Sequence, residues 1–153
     1  MSEIVLERSD LRRFSVLPDD VLMNEGGDRD KLGRGCVWSG EFTPCVHQNH
    51  VFVVRCTKQL YARYLTAWTQ TPVAKHYFIN AGSQTTNLAS INKTALGQLP
   101  VLLPPTLAEQ EAIAGALSDA DAEIAALEAK LAKARQVKQG MMQELLTGRT
   151  RLV

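Results

Sequence analysis

The sequence lacks the features that mark membrane, secreted or strongly basic proteins. No apolar run approaches the roughly 18 to 20 residues that span a bilayer, and residues 1–13 carry charges where a signal peptide has its apolar centre. We therefore expect a cytoplasmic location and no membrane partner. The 17 Lys and Arg nearly balance the 16 Asp and Glu. This excludes a histone-like polycation, so nucleic-acid binding would need a local basic surface or charged partners.

Cysteine is also scarce. Cys36, Cys45 and Cys56 are an odd set with no C-x-x-C pair, so neither a disulfide framework nor a zinc ribbon is indicated. The run Cys45-x-His47-x-x-His50 superficially resembles zinc ligands, but it lacks a fourth ligand. On a strand, moreover, His47 and His50 would project from opposite faces. We predict no metal site and no cofactor.

Catalytic motifs are missing as well. The segment 35–40 has the glycine spacing of a phosphate loop, but Glu41 and Phe42 stand where Lys and Ser or Thr are needed. The chain has no G-x-S-x-G nucleophile motif. Its Glu-x-Lys triplet at 128–130 fits a charged helix surface better than a nuclease site. We predict that the chain is not an enzyme and that any catalysis occurs on other subunits.

The composition changes abruptly at Pro104-Pro105. All nine aromatic residues and all six prolines lie at or before residue 105. The first part has strand-like runs at 4–6, 21–23, 36–38 and 51–54, and helical spacing over 59–69 and 73–78, followed by a turn at 80–82. The rest is rich in Ala, Leu, Glu, Lys and Gln. We predict an α+β fold, with a small mixed domain over 1–105 and a long helix over 106–153.

Both ends of the predicted helix carry termination signals. Thr106 and Glu109 have the spacing of a capping box, directly after the two prolines, and Gly148 can supply the left-handed residue that ends a helix. The interval 107–147 corresponds to about 60 Å of helix. Gly140 is its weak point and costs about 1 kcal/mol relative to Ala.

A heptad pattern runs along this helix. Nine of its ten 4-3 positions are apolar, which predicts a coiled coil: Ile113, Leu117, Ala120, Ile124, Leu127, Leu131, Ala134, Lys138, Met141 and Leu145. A helix that lies along its own domain is the alternative, but about 60 Å exceeds a domain of about 100 residues, whose radius of gyration is about 13 Å.

Charge along the helix indicates how a partner helix would run. Residues 106–128 contain six acids and no base, whereas 129–153 contain six bases and one acid. The helix macrodipole alone favours part of this polarity. Two such helices would nevertheless set like charges together if parallel, and opposite charges if antiparallel. We predict an antiparallel pair with a second copy or with a closely similar helix.

Four segments together resemble the specificity subunits of type I restriction-modification systems: 82–92 (GSQTTNLASIN), 96–105 (LGQLPVLLPP), 107–113 (LAEQEAI) and 145–148 (LLTG). Residues 17–27 and Gly33-Arg34 resemble, more loosely, the middle of the family's target recognition domain. The resemblance implies two such domains per subunit, each followed by a spacer helix, and recruitment of methylation and restriction subunits. It further implies that this chain is one half of the arrangement and that its recognition domain lacks an N-terminal portion.

For the double-stranded DNA partner we predict contacts from loop and surface residues of 1–105. Candidates for base edges are Arg29, Lys31, Arg34, His47, Gln48, Asn49 and His50; candidates for phosphate are Lys58, Arg63, Lys75 and His76. Each has a structural alternative, since Asp28 and Asp30 could make the first group a solvated turn. The loop 83–87 could equally be a turn or a DNA contact. The resemblance further places the methylation-subunit contact around Glu109 and Gln110.

Two functions remain open from the sequence. The first is a recognition subunit that reads one half of a bipartite DNA site and directs separate methylation and restriction subunits. The second is an assembly module that no longer reads DNA and only pairs with another specificity subunit through its helix. An antiparallel rod of about 60 Å separates two half-sites by at most about 18 base pairs, and inward docking would reduce this to about one half to one helical turn.

Overall fold

The computed structural model describes residues 7–84 and 89–152. Its elements alternate between short strands and helices before one long helix. In chain order they are α1 (Arg8–Phe14), β1 (Val21–Asn24), β2 (Gly26–Gly27), a 3₁₀ turn (Arg29–Lys31), β3 (Gly35–Val37), β4 (Val51–Val54), α2 (Ala62–Thr69), α3 (Pro72–Ala81), β5 (Ser83–Gln84), β6 (Ala89–Ser90), α4 (Lys93–Gly97) and α5 (Leu107–Leu146). The predicted α+β class is confirmed. The strand predicted at 4–6, and residues 85–87 of the predicted loop, lie outside the described residues.

The larger sheet is antiparallel, with the strand order β3-β1-β4. Leu22 of β1 lies opposite Cys36 on one side and Val53 on the other. The strands predicted at 21–23 and 51–54 are confirmed, and β3 begins one residue before its predicted start. A second small sheet, of order β2-β6-β5, joins Gly26–Gly27 to the segment just before α4.

The core lies between the larger sheet and the helices α2 and α3. Strand alternation turns Val21 and Met23 of β1 inward, where they pack with Leu65 and Phe78. The close approach of the 29–34 loop to Phe78 requires a glycine. Gly33 has φ +66°, and a Cβ there would lie 2.2 Å from the Phe78 ring.

Helix α2 begins three residues later than predicted. The Leu60 N–H donates to the Thr57 carbonyl over 3.1 Å, so the chain forms a turn before the helix. Helix α3 begins where Thr71 caps the Ala74 N–H and Pro72 follows. It continues through Asn80 and ends at Ala81, with Gly82 as its extended C-cap. The turn predicted at 80–82 is therefore wrong for Asn80 and Ala81, which are helical, and the chain leaves the helix only at Gly82.

Helix α5 has 40 residues, from Leu107 to Leu146, and matches the predicted interval to one residue. At its start the Glu109 N–H donates to the Thr106 hydroxyl over 3.2 Å, as the capping box predicts. Past its end Gly148 has φ +74°. Gly140 lies within the helix without interrupting it. Of the helices described, none combines the length and the apolar character needed to cross a membrane.

The chain divides into two compact units, Met1–Ala114 and Gly115–Val153. The boundary falls inside α5, because the first two turns of the helix pack with the N-terminal unit through Gln110 and Ala114, both buried. A functional boundary at residue 105, which the composition predicts, stays a prediction.

Candidate nucleic-acid interface

Several predicted DNA-binding residues meet where β1 ends. The Asn24 N–H donates to the Arg34 carbonyl over 2.9 Å, and the Glu25 N–H donates to the His50 carbonyl over 3.1 Å. These two bonds bring the 29–34 loop and the 48–50 turn to two adjacent residues at the end of β1. We call the predicted residues on these loops the β1-end cluster: Arg29, Lys31, Arg34, Gln48, Asn49 and His50. All six are exposed.

The β1-end cluster is mixed in charge. Lys31 Nζ forms an ion pair with Asp28 within its own turn, and Lys31 also holds the pKa of the Asp28 carboxyl below its ordinary value through a hydrogen bond and its charge. On the neighbouring turn, His50 Nδ1 lies 3.5 Å from a carboxylate oxygen of Glu25. The cluster therefore differs from a purely basic phosphate-binding surface. The Asp28–Lys31 pair is the contact that the solvated-turn alternative predicts.

His47 does not join this cluster. Its N–H donates to the Phe14 carbonyl over 2.9 Å, and its ring contacts the Phe14 ring edge-on with 5.6 Å between centroids. The expectation that His47 and His50 project from opposite faces of one strand is wrong, because only Val46 forms a bridge, to Ser15, and β4 begins after His50. Among residues 7–84 and 89–152, no three His, Cys, Asp or Glu side chains are grouped to hold a metal ion.

His47 instead lines a groove of about 700 Å³ beside β4. Three cationic residues from separate segments share it: Arg13, Arg55 and Lys93. No sequence motif links positions 13, 55 and 93, so these three residues are not among the predicted DNA contacts. Arg13 lies over the Phe14 ring, 5.2 Å from its centroid.

Arg55 serves mainly to neutralise a buried carboxylate. Its Nε and Nη2 donate to the two oxygens of Asp20 over 2.8 and 2.6 Å, and Asp20 is only 1% exposed. Burial alone would raise the pKa of Asp20, but the hydrogen bonds from Arg55 and from the Leu17 N–H, with the Arg55 charge, lower it below its ordinary value. This bidentate pair ties the end of β4 to the start of β1.

The predicted phosphate contacts lie on other elements. Lys58 follows β4 whereas His50 precedes it, and a four-residue strand separates its two ends by about 13 Å. Arg63 is exposed on α2, and Lys75 is half-buried on α3. His76 Nε2, also on α3, lies 2.8 Å from Asn80 Nδ2. The structure thus brings six of the predicted DNA-binding residues together and leaves the others on separate surfaces.

Gln110 has a different role from the one predicted. Its side chain is 2% exposed, Oε1 accepts from the Tyr61 N–H over 2.9 Å, and Nε2 donates to the Gln59 carbonyl over 3.0 Å. The expectation that Gln110 contacts a methylation subunit is therefore wrong, because its side chain is buried and hydrogen-bonded inside the N-terminal unit. Glu109 is exposed, and its contact with such a subunit stays a prediction.

The heptad positions of α5 form a stripe of exposed apolar side chains. Leu131, near its centre, is 50% exposed. Leu145 is half-buried, and five further apolar positions are exposed: Ile113, Leu117, Ile124, Leu127 and Met141. An exposed apolar stripe of this length, interrupted at Lys138, marks an interaction surface.

Comparison with known proteins supports the relationship seen in the sequence. A Methanocaldococcus jannaschii protein named "Putative type I restriction enzyme MjaX specificity subunit" is 27% identical over 143 residues, which cover 93% of this chain and 33% of that protein. The chain is homologous to a type I restriction enzyme specificity subunit. It spans about a third of the length of this curated relative. No protein-family model matches the chain.

Proposed function

We propose that the chain is a non-catalytic DNA-recognition component of a type I restriction-modification complex. The observation that carries this proposal is its similarity to a specificity subunit over 93% of its length. In this role the N-terminal unit reads one half of a bipartite site, and the β1-end cluster supplies base contacts. Arg34, Gln48 and Asn49 carry groups suited to guanine and adenine edges. Asp28 and Glu25 reduce the net positive charge of the β1-end cluster, which weakens nonspecific binding to phosphates and so favours sequence-selective binding.

The second half-site requires a second recognition domain. The exposed apolar stripe of α5 favours pairing with another helix. Because the first half of α5 is acidic and the second half is basic, antiparallel pairing with another copy or with a similar specificity subunit is favoured. Methylation and restriction subunits supply the chemistry in this proposal.

A second candidate function is an assembly module that pairs through α5 without reading DNA. One observation favours this function: Lys31, a predicted DNA-binding residue, already forms an ion pair with Asp28 of the same turn. This function would leave the methylated DNA sequence independent of the β1-end cluster.

Mapping of methylated positions distinguishes the two functions. The chain is co-expressed with its methylation subunit, and modified bases are located across a genome. We expect a split motif, palindromic for a homodimer and asymmetric for a mixed pair. Asn49→Ala should relax one motif position by about 1 to 3 kcal/mol of discrimination, and Arg34→Ala another. Gln98→Ala, an exposed change on the α4 C-cap, serves as the control and should leave the motif intact.

Each other outcome has a definite meaning. An unchanged motif in the Asn49 and Arg34 variants would support the assembly module. Methylation without any sequence preference, in a complex that contains the chain, would contradict DNA recognition by it.

A further inference from the structure

Strand β4 lies at an edge of the larger sheet. It pairs with β1 on one side, and among residues 7–84 and 89–152 no strand pairs with its other side. The Glu25 N–H donates to the His50 carbonyl, so this opposed pair is hydrogen-bonded. Hydrogen-bonded and non-hydrogen-bonded pairs alternate along an antiparallel ladder, so the pairs that contain Val51 and Val53 are of the second kind. Val51 and Val53 therefore direct their N–H and C=O groups away from β1, toward the open edge.

The apolar core continues past this open edge. Phe52 and Val54 of β4 pack against the core cluster, and all four residues of β4 are only half-buried. They line the groove of about 700 Å³ together with half-buried apolar side chains from the segments around α2 and α4: Leu60, Leu96, Leu99 and Val101. We call this site the β4-edge groove. A strand added next to β4 would cover these side chains and extend the sheet.

The lining of the β4-edge groove is also positively charged. It contains Arg13, Arg55 and Lys93, and its described residues include no Asp or Glu. Arg55 is neutralised by Asp20. In the part of the chain that the structure describes, no ion pair involves Arg13 or Lys93. These two charges favour acidic groups on whatever occupies the groove.

An extended acidic peptide fits these features better than other occupants. Its C=O groups accept from the outward N–H groups of Val51 and Val53, and its own N–H groups donate to their C=O groups. The sugar-phosphate backbone of DNA offers acceptors only, and its charge does not suit an apolar lining. A helix uses its backbone groups internally. A second copy paired through β4 would bring two sets of the same cations together.

We propose that the open edge of β4 binds an extended segment of another protein by strand addition. Apolar side chains at alternate positions of that segment enter the β4-edge groove, and flanking acidic residues pair with Arg13 and Lys93. Four residues of β4 span about 13 Å, so the paired part of the segment is about four to five residues long. This inference uses no residue of the β1-end cluster and goes beyond the proposed function.

Amide hydrogen exchange of the ¹⁵N-labelled full chain, followed by NMR, tests the strand addition. The probes are two peptides with the same alternating centre, EETVTVTEE and KKTVTVTKK. In the free chain the Phe52 and Val54 amides, which face β1, should exchange slowly, whereas those of Val51 and Val53 should exchange fast. Saturating EETVTVTEE should slow the Val51 and Val53 amides at least about tenfold. KKTVTVTKK should bind at least about tenfold more weakly at low salt.

Two kinds of variant separate the backbone and charge contributions. Val53→Pro removes an outward N–H but no bond to β1, since proline is accepted on edge strands, and it should weaken EETVTVTEE binding at least about tenfold. Val53→Thr keeps the N–H and is the matched control, with an expected change below about threefold. Arg13→Gln combined with Lys93→Gln leaves the backbone intact and should reduce the preference for EETVTVTEE over KKTVTVTKK to less than about threefold. If tryptophan fluorescence shows that Val53→Pro is unfolded, this double variant and the exchange data decide.

Several results would overturn the inference. The first is fast exchange at Val51 and Val53 with either peptide at about 1 mM, or equal binding of both peptides. Slow exchange at these amides in the free chain would show that the edge is already covered, by a second copy if dilution restores fast exchange and by the chain itself if it does not. Protection by a DNA duplex of about two helical turns, without protection by EETVTVTEE, would assign the groove to nucleic acid instead.

Discussion

Replacement of Gln110 by Ala should destabilise the N-terminal unit although Gln110 lies on the long helix. Its amide accepts from the Tyr61 N–H and donates to the Gln59 carbonyl, at 2.9 and 3.0 Å. Tyr61 is the N-cap residue of α2, which has no side-chain cap of its own. The Gln110 amide therefore satisfies one backbone donor and one backbone acceptor that come from a segment about 50 residues earlier in the sequence.

The magnitude follows from these two bonds. A partly buried backbone group that loses its partner costs about 1 to 3 kcal/mol. Gln59 is exposed and can turn to water, whereas Tyr61 is half-buried, so the total should be near the middle of that range. We expect about 2 kcal/mol and a midpoint of thermal unfolding lower by about 6 to 12 °C.

Tryptophan fluorescence during urea and thermal unfolding measures the effect, because both tryptophans lie in the N-terminal unit. Gln136→Ala is the matched control, since it makes the same chemical change at an exposed position of the same helix. It should alter stability by less than about 0.5 kcal/mol. If Gln110→Ala were as mild as Gln136→Ala, the structural role assigned to this amide would be refuted.

Three further predictions concern packing, pH and pairing. Gly33→Ala should destabilise the N-terminal unit by about 3 kcal/mol or more in the same urea titration, because φ is +66° and the new methyl would overlap Phe78. The control is Gly97→Ala, where nothing lies within 4 Å; this change should be neutral or stabilising. Equal effects of the two substitutions would contradict the packing described. Asp20→Asn should cost about 1 to 3 kcal/mol at pH 7. Folding lowers the pKa of Asp20, so the carboxylate stabilises the folded state above its unfolded pKa of about 3.9, and this stabilisation is lost as pH falls through the folded-state pKa. If the difference in unfolding free energy between the wild type and Asp20→Asn stayed constant from pH 6 to pH 2, the result would count against this ion pair. Leu131→Asp should raise the dimer dissociation constant at least about a hundredfold, because it places a charge in the apolar seam. Ala129→Asp, on the opposite side of α5, should change this constant little. Similar dissociation constants for the two variants would exclude the stripe as the interface.

Local signals in the sequence were enough to predict the long helix and the three strands of the larger sheet. Helix α5 has a cap hydroxyl at Thr106, a left-handed glycine at 148 and an apolar heptad repeat, each of which acts within a few residues of the chain. Strands β1 and β4 are short runs of apolar residues that needed no distant partner to be recognised. The relationship to specificity subunits was also visible, because it is carried by contiguous segments.

Features that depend on distant contacts were not predictable in this way. Gln110 looked like an exposed helix residue, but the 57–61 turn covers it and uses its amide. The pairing of Asp20 with Arg55 joins positions that no motif connects. In the same way, the backbone hydrogen bonds of Asn24 and Glu25 bring Arg34 and His50 to neighbouring positions, whereas the sequence alone shows only that these two residues are polar.

The direction of helix pairing is the claim on which the account depends most, and a distance measurement tests it directly. A spin-labelled amino acid is incorporated at position 113 of the full chain, so that the native cysteines stay in place, and pulsed electron resonance records the separation of the two labels in the dimer. Antiparallel pairing with 113 opposite 141 predicts about 40 Å, which is the rise of 28 helical residues. A separation of about 10 Å, as in two parallel helices in register, would contradict it.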